Sequence, residues 1–170
     1  MRSRELARAV FAFLAIVLAA SAARAADSAP PAGTTYEMDV LGVQADPQSG
    51  APMVLLRAKQ DKRELVMFIG PFEAQAIALP LQGIRPPRPY THDLMLDALH
   101  RLKARVKHIT ITGIRENTYF AEVVLDVQGQ ELILDSRPSD AIALALRENA
   151  PIWAAEAAFA RPSRAERGAP

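Results

Sequence analysis

Two stretches of this chain, residues 64–74 (ELVMFIGPFEA) and 131–141 (ELILDSRPSDA), align without a gap. Each is an apolar run that reaches a proline, meets an acid two residues later, and passes into a segment rich in Ala, Ile and Leu. Upstream, Leu41-Gly42-Val43 matches Thr112-Gly113-Ile114 once a few turn residues are removed. The pattern reads as an internal duplication, with two halves that each end in a strand, a proline and a helix. A second reading stays open beside it. Helix starts favour proline in the first position and acids in the first turn, so two unrelated junctions can converge on the same letters.

The elements between these junctions support two similar halves. Residues 36–45 alternate as a strand, 46–50 (DPQSG) form a turn, and 53–57 and 65–69 are short apolar strands. Pro71 opens a helix expected to run through Leu79, where Pro80 removes a donor and should end or kink it, with Gly83 as a stop. Residues 84–90 (IRPPRPY) must be extended. Thr91 is the expected N-cap of a helix over 93–104, with Leu94, Met95, Ala98, Leu99 and Leu102 as its apolar stripe. Strands follow at 106–113, 119–127 and 131–135, separated by turns at Glu116-Asn117 and Gln128-Gly129. A helix over 140–148 comes next, and a short one is expected within 152–159. The fold class is α+β: two βββα-like halves with antiparallel strands, an intervening helix, and helices packed on the sheet.

The ends of the chain read differently. Arg2, Arg4 and Arg8 precede an apolar run from Ala9 to Ala20, and Ala23-Arg24-Ala25 has the small-x-small form of a cleavage site. Residues 1–25 are therefore expected to be a signal peptide, its apolar run shorter than the roughly 20 residues of a spanning helix, with an uncleaved anchor as the alternative. With cleavage near Ala25/Ala26 the protein would be periplasmic or secreted, with no stable membrane anchor, and a chain without cysteine is indifferent to an oxidising compartment. Residues 26–33 read as a linker, 34–160 as one domain, and 161–170 as a disordered tail. Residues 1–25 hold four of the 20 basic and one of the 19 acidic residues, so cleavage leaves a formal charge of −2. That excludes a strongly basic nucleic-acid binder; affinity for a polyanion has to come from a local patch or from metal ions.

Chemistry concentrates in residues 135–140 (DSRPSD), where two carboxylates, a guanidinium and two hydroxyls lie between an apolar strand and an apolar helix. Ending a strand and starting a helix needs a cap and little more. Together with residues 69–79 (IGPFEAQAIAL) and 88–94 (RPYTHDL), the segment 135–151 (DSRPSDAIALALRENAP) resembles the bifunctional nuclease (BFN) domain family, in order and spacing as well as letters, over about residues 36–159. The resemblance implies an α+β domain that acts on both RNA and DNA. Pro80 departs from the family pattern, where this helix usually continues, and so does a signal peptide.

Phosphodiester hydrolysis usually calls for a carboxylate-held metal, an activated water and positive charge on the transition state. In the family-like segments the acids are Glu73, Asp93, Asp135 and Asp140, expected to hold Mg²⁺ or Mn²⁺. His92 is the expected proton carrier and Arg137 the expected phosphate clamp, so His92, Asp93, Asp135, Arg137 and Asp140 form the expected catalytic group. Arg85 and Arg88 would contact backbone phosphates and Tyr90 would stack on a base. Plain structural roles stand beside these. Glu73, Asp93 and Asp140 suit the dipoles of helix starts, and Arg137 suits an ion pair with Asp135 or Asp140. Ser139 reads as a turn residue, and His100 and His108 as surface residues. The function expected is an exported nuclease for DNA and RNA with little sequence preference. The rival is a non-catalytic binding or assembly module whose acid/Arg network is structural, and whose apolar helices and open sheet edges would drive homo-oligomerisation.

Overall fold

The computed structural model describes residues 33–160. The signal peptide expected over 1–25, all but the last residue of the linker, and the tail over 161–170 lie outside the described residues. Seven strands form one sheet: β1 (Thr35–Ala45), β2 (Pro52–Ala58), β3 (Glu64–Phe68), β4 (Ala104–Arg115), β5 (Thr118–Val127), β6 (Gln130–Ser136) and β7 (Ile152–Ala155). Three eleven-residue helices, α1 (Pro71–Leu81), α2 (Thr91–Arg101) and α3 (Pro138–Glu148), complete the α+β fold, with a 3₁₀ turn at Glu156–Phe159.

The strand order is β3-β2-β1-β7-β4-β5-β6. Each half is an antiparallel meander, and β7 lies between them, antiparallel to β1 and parallel to β4. β1 and β4 therefore run in opposite directions on either side of β7. This order and these directions are what a pseudo-twofold normal to the sheet would give the two meanders. The hairpins of the second half close through two-residue turns with both central residues at positive φ. These are Glu116 and Asn117 (47° and 59°), then Gln128 and Gly129 (55° and 87°). That is the turn whose twist matches paired strands.

Residues 152–159 correct the sequence reading. They form β7 and a 3₁₀ turn in place of a short helix. Four residues are too few to carry a period, and the position is decided by burial: Ile152, Trp153 and Ala154 fill the slot between the two meanders. α1 also runs on through Pro80 to Leu81, and Gly83, at φ 67°, then ends it. α3 is the central helix. Ser139 and every residue from Ala141 to Ala145 are buried, because α1, α2 and the sheet all pack against it.

α2 sits in a different rotation from the one its apolar stripe predicts. Leu96 is buried and Leu99 packs on the core, while Leu94 and Leu102 are 60% and 71% exposed and Met95 also faces out. Polar anchors set this rotation. The first turn is pinned through His92 to Asp140 and through Asp93 to Arg147, both on α3. The helix also starts two residues earlier than expected, with Tyr90 as N-cap in place of Thr91. The Asp93 carboxylate accepts the Tyr90 backbone N–H at 2.9 Å. His108 is a further correction: it is buried in β4, and burial holds its imidazole below the ordinary histidine value.

Candidate functional site

The two repeated junctions adopt the same local structure. Pro71 and Pro138 each occupy the first helical position, after N-cap residues Gly70 (φ −74°, ψ 162°) and Arg137 (φ −67°, ψ 141°) in extended conformation. Two residues after each proline, Glu73 and Asp140 take equivalent places in the first turns of α1 and α3. Although β3 and β6 are opposite edges of the sheet, the residues that follow them meet.

Arg137 makes that meeting. Its Nη1 donates to Glu73 Oε1 at 2.9 Å, its Nε to Asp140 Oδ2 at 2.7 Å and its Nη2 to Asp140 Oδ1 at 3.2 Å. His92 Nε2 lies 3.1 Å from the same Asp140 Oδ1. The four groups grade from solvent inward, with side-chain exposures of 65% for Arg137, 30% for Asp140, 21% for Glu73 and 15% for His92. They line an open hollow of about 610 Å³, with Phe72 and Tyr90 on its wall. Burial pushes the Asp140 carboxyl upward, but the hydrogen bonds from Arg137 and His92, with their charge, hold it below the ordinary carboxylate value. The Asp140 hydrogen bond and charge, with Glu73 behind them, raise the Arg137 guanidinium further above its already high value.

Gly70 takes part through its lack of a side chain. A Cβ there would run into the Glu73 carboxylate, which folds back over the N-cap. Its counterpart in the other half is Arg137 itself. At this aligned position the first junction leaves room for the acid, and the second supplies the cation that binds it.

The remaining expected site residues fall elsewhere. Asp93 turns away from the hollow: Oδ1 accepts Arg147 Nε at 2.7 Å and Oδ2 accepts the Tyr90 N–H. Asp93 and Asp140 share no arginine. Asp135 is exposed on edge strand β6, opposite Glu122 in register, and makes no hydrogen bond or ion pair with the four clustered groups. The burial that would make it costly is absent. Arg88 is exposed on the Pro-rich loop, and Arg85 lines a neighbouring hollow with Asp93, His100 and Arg147. His100, as expected at the surface, bonds Glu148 at 2.9 Å.

Arg147 is the residue that sequence reasoning missed. Its side chain is 9% exposed, and Nη1 donates to the Ala76 carbonyl at 2.7 Å and the Ala143 carbonyl at 2.9 Å. Ala76 is four residues before Pro80, so its carbonyl is the acceptor that Pro80, lacking an N–H, cannot reach. Arg147 supplies the missing donor and fastens α1, α2 and α3 together. The signal was present in the proline within a helix, which always orphans a carbonyl.

A family model described as the bifunctional nuclease domain matches residues 54–165. The chain belongs to the bifunctional nuclease domain family. A Mycobacterium tuberculosis protein described only as uncharacterized is 38% identical over 125 residues, 74% of either chain. Bifunctional nuclease 1 of Oryza sativa subsp. japonica and bifunctional nuclease of Oryza minuta are each 32% identical over 98 residues, 55% of this chain and 30% of theirs. The site described above, from Glu73 to Asp140, falls inside the matched segment.

The donor set also bears on a metal. Glu73 and Asp140 are joined by a guanidinium that fills the space between them. Among the described residues no three ligand-type side chains converge as they stand. In this arrangement the guanidinium occupies the place between the two carboxylates.

Proposed function

We propose that this chain is an exported nuclease that hydrolyses phosphodiester bonds in DNA and RNA. The observation that carries the reading is the His92–Asp140–Arg137 arrangement at the mouth of a hollow, in a chain of the bifunctional nuclease family. Asp140 can fix the tautomer of His92, with Nε2–H donating to the carboxylate and Nδ1 left as the proton acceptor. His92 then takes a proton from the attacking water as its oxygen bonds to phosphorus, the P–O bond to the leaving sugar oxygen breaks, and that oxygen takes a proton from His92 or from solvent. The Arg137 guanidinium lies beside the dyad and offers planar, two-point hydrogen bonding to the charge that grows on the phosphate oxygens. Glu73 and Asp140 hold that guanidinium in place beforehand.

With His92 neutral, the cluster carries one more negative than positive charge, so it does not attract phosphate by charge alone. No step here is routed through a metal; the expectation of Mg²⁺ or Mn²⁺ is settled by chelation. Purified protein should degrade both DNA and RNA, and His92→Gln should lower the rate by about 10²–10⁴-fold, the usual worth of a general base. Loss of all cleavage in EDTA, restored by Mg²⁺ or Mn²⁺, would establish the ion and require Arg137 to yield its place. No cleavage of either polymer, with or without added metal, would refute the nuclease reading. The rival assembly reading draws on one observation, the outward row of Leu94, Met95 and Leu102 on α2. It predicts a stable oligomer by sedimentation and no turnover.

A further inference from the structure

Resting on the nuclease reading, we infer that the substrate is an unpaired strand, threaded across Arg137 with its bases stacked on aromatic rings on either side. The Glu73–Arg137 pair is shared by two hollows. One holds Phe72, Tyr90 and His92. The other, of about 670 Å³, lies where the ends of β3, the β4–β5 turn and the β6–α3 junction converge, and Phe68 and Tyr119 line it. Phe72 is 84% exposed and Phe68 66%, the two most exposed aromatic rings among the described residues. They flank the one cation at the site from opposite hollows. Neither ring is needed by the core, which is built from the alternate residues Leu65 and Met67 of β3 and from Ala74, Ala76 and Ile77 of α1.

Charge decides what this surface can hold. The Glu73–Arg137–Asp140 cluster has no net positive charge, and residues 26–170 carry a formal −2. A duplex presents mainly phosphates to such a surface, and its paired bases are closed to the rings. An unpaired strand presents base faces, which stack on any aromatic ring with little regard to sequence. Stacking is also indifferent to a 2′-hydroxyl, so the same track takes DNA and RNA. Stacking supplies the affinity, and Arg137 positions one phosphate between two stacked bases.

The test is fluorescence anisotropy with uncleavable probes: a labelled phosphorothioate single strand, the same sequence as a blunt duplex, and a 2′-O-methyl RNA strand, each over a range of salt. Both single strands should bind at least ten-fold tighter than the duplex. Their affinity should fall by no more than about ten-fold between 50 and 200 mM salt, against the 10³–10⁵-fold loss of a protein making six to ten phosphate contacts. Phe68→Ala and Phe72→Ala should each weaken single-strand binding by about five- to a hundred-fold. Phe72→Trp should restore it, and Leu102→Ala, on the far end of α2, should not change it. Equal affinity for duplex and single strand, no binding of any probe, or Phe→Ala variants within two-fold of the parent would overturn the inference. Because these probes are not cleaved, selective binding without turnover on ordinary substrates would count against the nuclease reading alone. Cleavage that ignores strandedness and both phenylalanines would count against this inference alone.

Discussion

Removing Arg147 tests how the three helices are held. In Arg147→Ala the Asp93 carboxylate loses its buried partner and the Ala76 carbonyl loses the donor that replaces the absent Pro80 N–H. An unsatisfied buried carbonyl costs about 1–3 kcal/mol. Breaking a buried ion pair costs about 3–5 kcal/mol, less here because Asp93 is one-third exposed and keeps the Tyr90 N–H. The net expectation is a loss of roughly 2–4 kcal/mol, or about 8–16 °C in Tm for a domain of this size. The decisive measurement is the double-mutant cycle with Pro80→Ala, read by urea unfolding. The Pro80→Ala change restores a backbone donor facing the Ala76 carbonyl, so the carbonyl's share of the loss should disappear in the double variant. The two changes should then fall short of additivity by about 1–2 kcal/mol. Additivity within about 0.5 kcal/mol would show that Arg147 does not compensate for Pro80, and the reasoning would fail.

Asp140 titrates below its ordinary value in the folded protein, so on acidification the unfolded chain takes the proton first. Its contribution to stability is whole above the unfolded carboxylate value, about 3.9, and is lost as pH falls from there through the depressed folded value. Asp140→Asn should flatten the stability–pH curve in that window, checked by urea midpoints at successive pH values. Asp135→Asn, on the exposed edge strand, should leave stability within about 0.5 kcal/mol of the parent and cleavage within two-fold, measured on both polymers. Protein recovered from the exporting cell should begin near Ala26; N-terminal sequencing that finds Met1 or Arg2 on the soluble protein would remove export from the account.

The junctions were legible because they repeat. A proline at the first helical position and an acid two residues on leave little freedom in how strand meets helix, so Glu73 and Asp140 could be placed in equivalent turns from letters alone. The pairing of Arg137 with Asp140 was legible for the same local reason. What depends on distant residues was not. Asp93 and Asp140 are both first-turn acids, and it is the rotation of α2 that turns Asp93 to Arg147 and away from the Arg137 cluster. That rotation comes from contacts more than forty residues apart in sequence, between His92 and Asp140 and between Asp93 and Arg147. It also overrode the apolar stripe, leaving Leu94 and Leu102 in solvent. The burial expected of Asp135 is absent because β6 is an edge strand, and strand position within a sheet is not written in the strand's own sequence. β7 was missed because four residues buried by their neighbours carry no period of their own.

In the proposed mechanism Asp140 makes this domain a nuclease by holding His92 and Arg137 together. The most direct test compares the parent protein with Asp140→Asn on single-stranded DNA and RNA, with folding checked by circular dichroism and Tm. The partly exposed pair with Arg137 contributes only about 1 kcal/mol or less to stability, so the variant should remain folded. The parent should cleave both polymers, and the variant should lose at least about 10²-fold. A folded Asp140→Asn that cleaves as the parent does, or a parent that cleaves neither polymer, would contradict that mechanism.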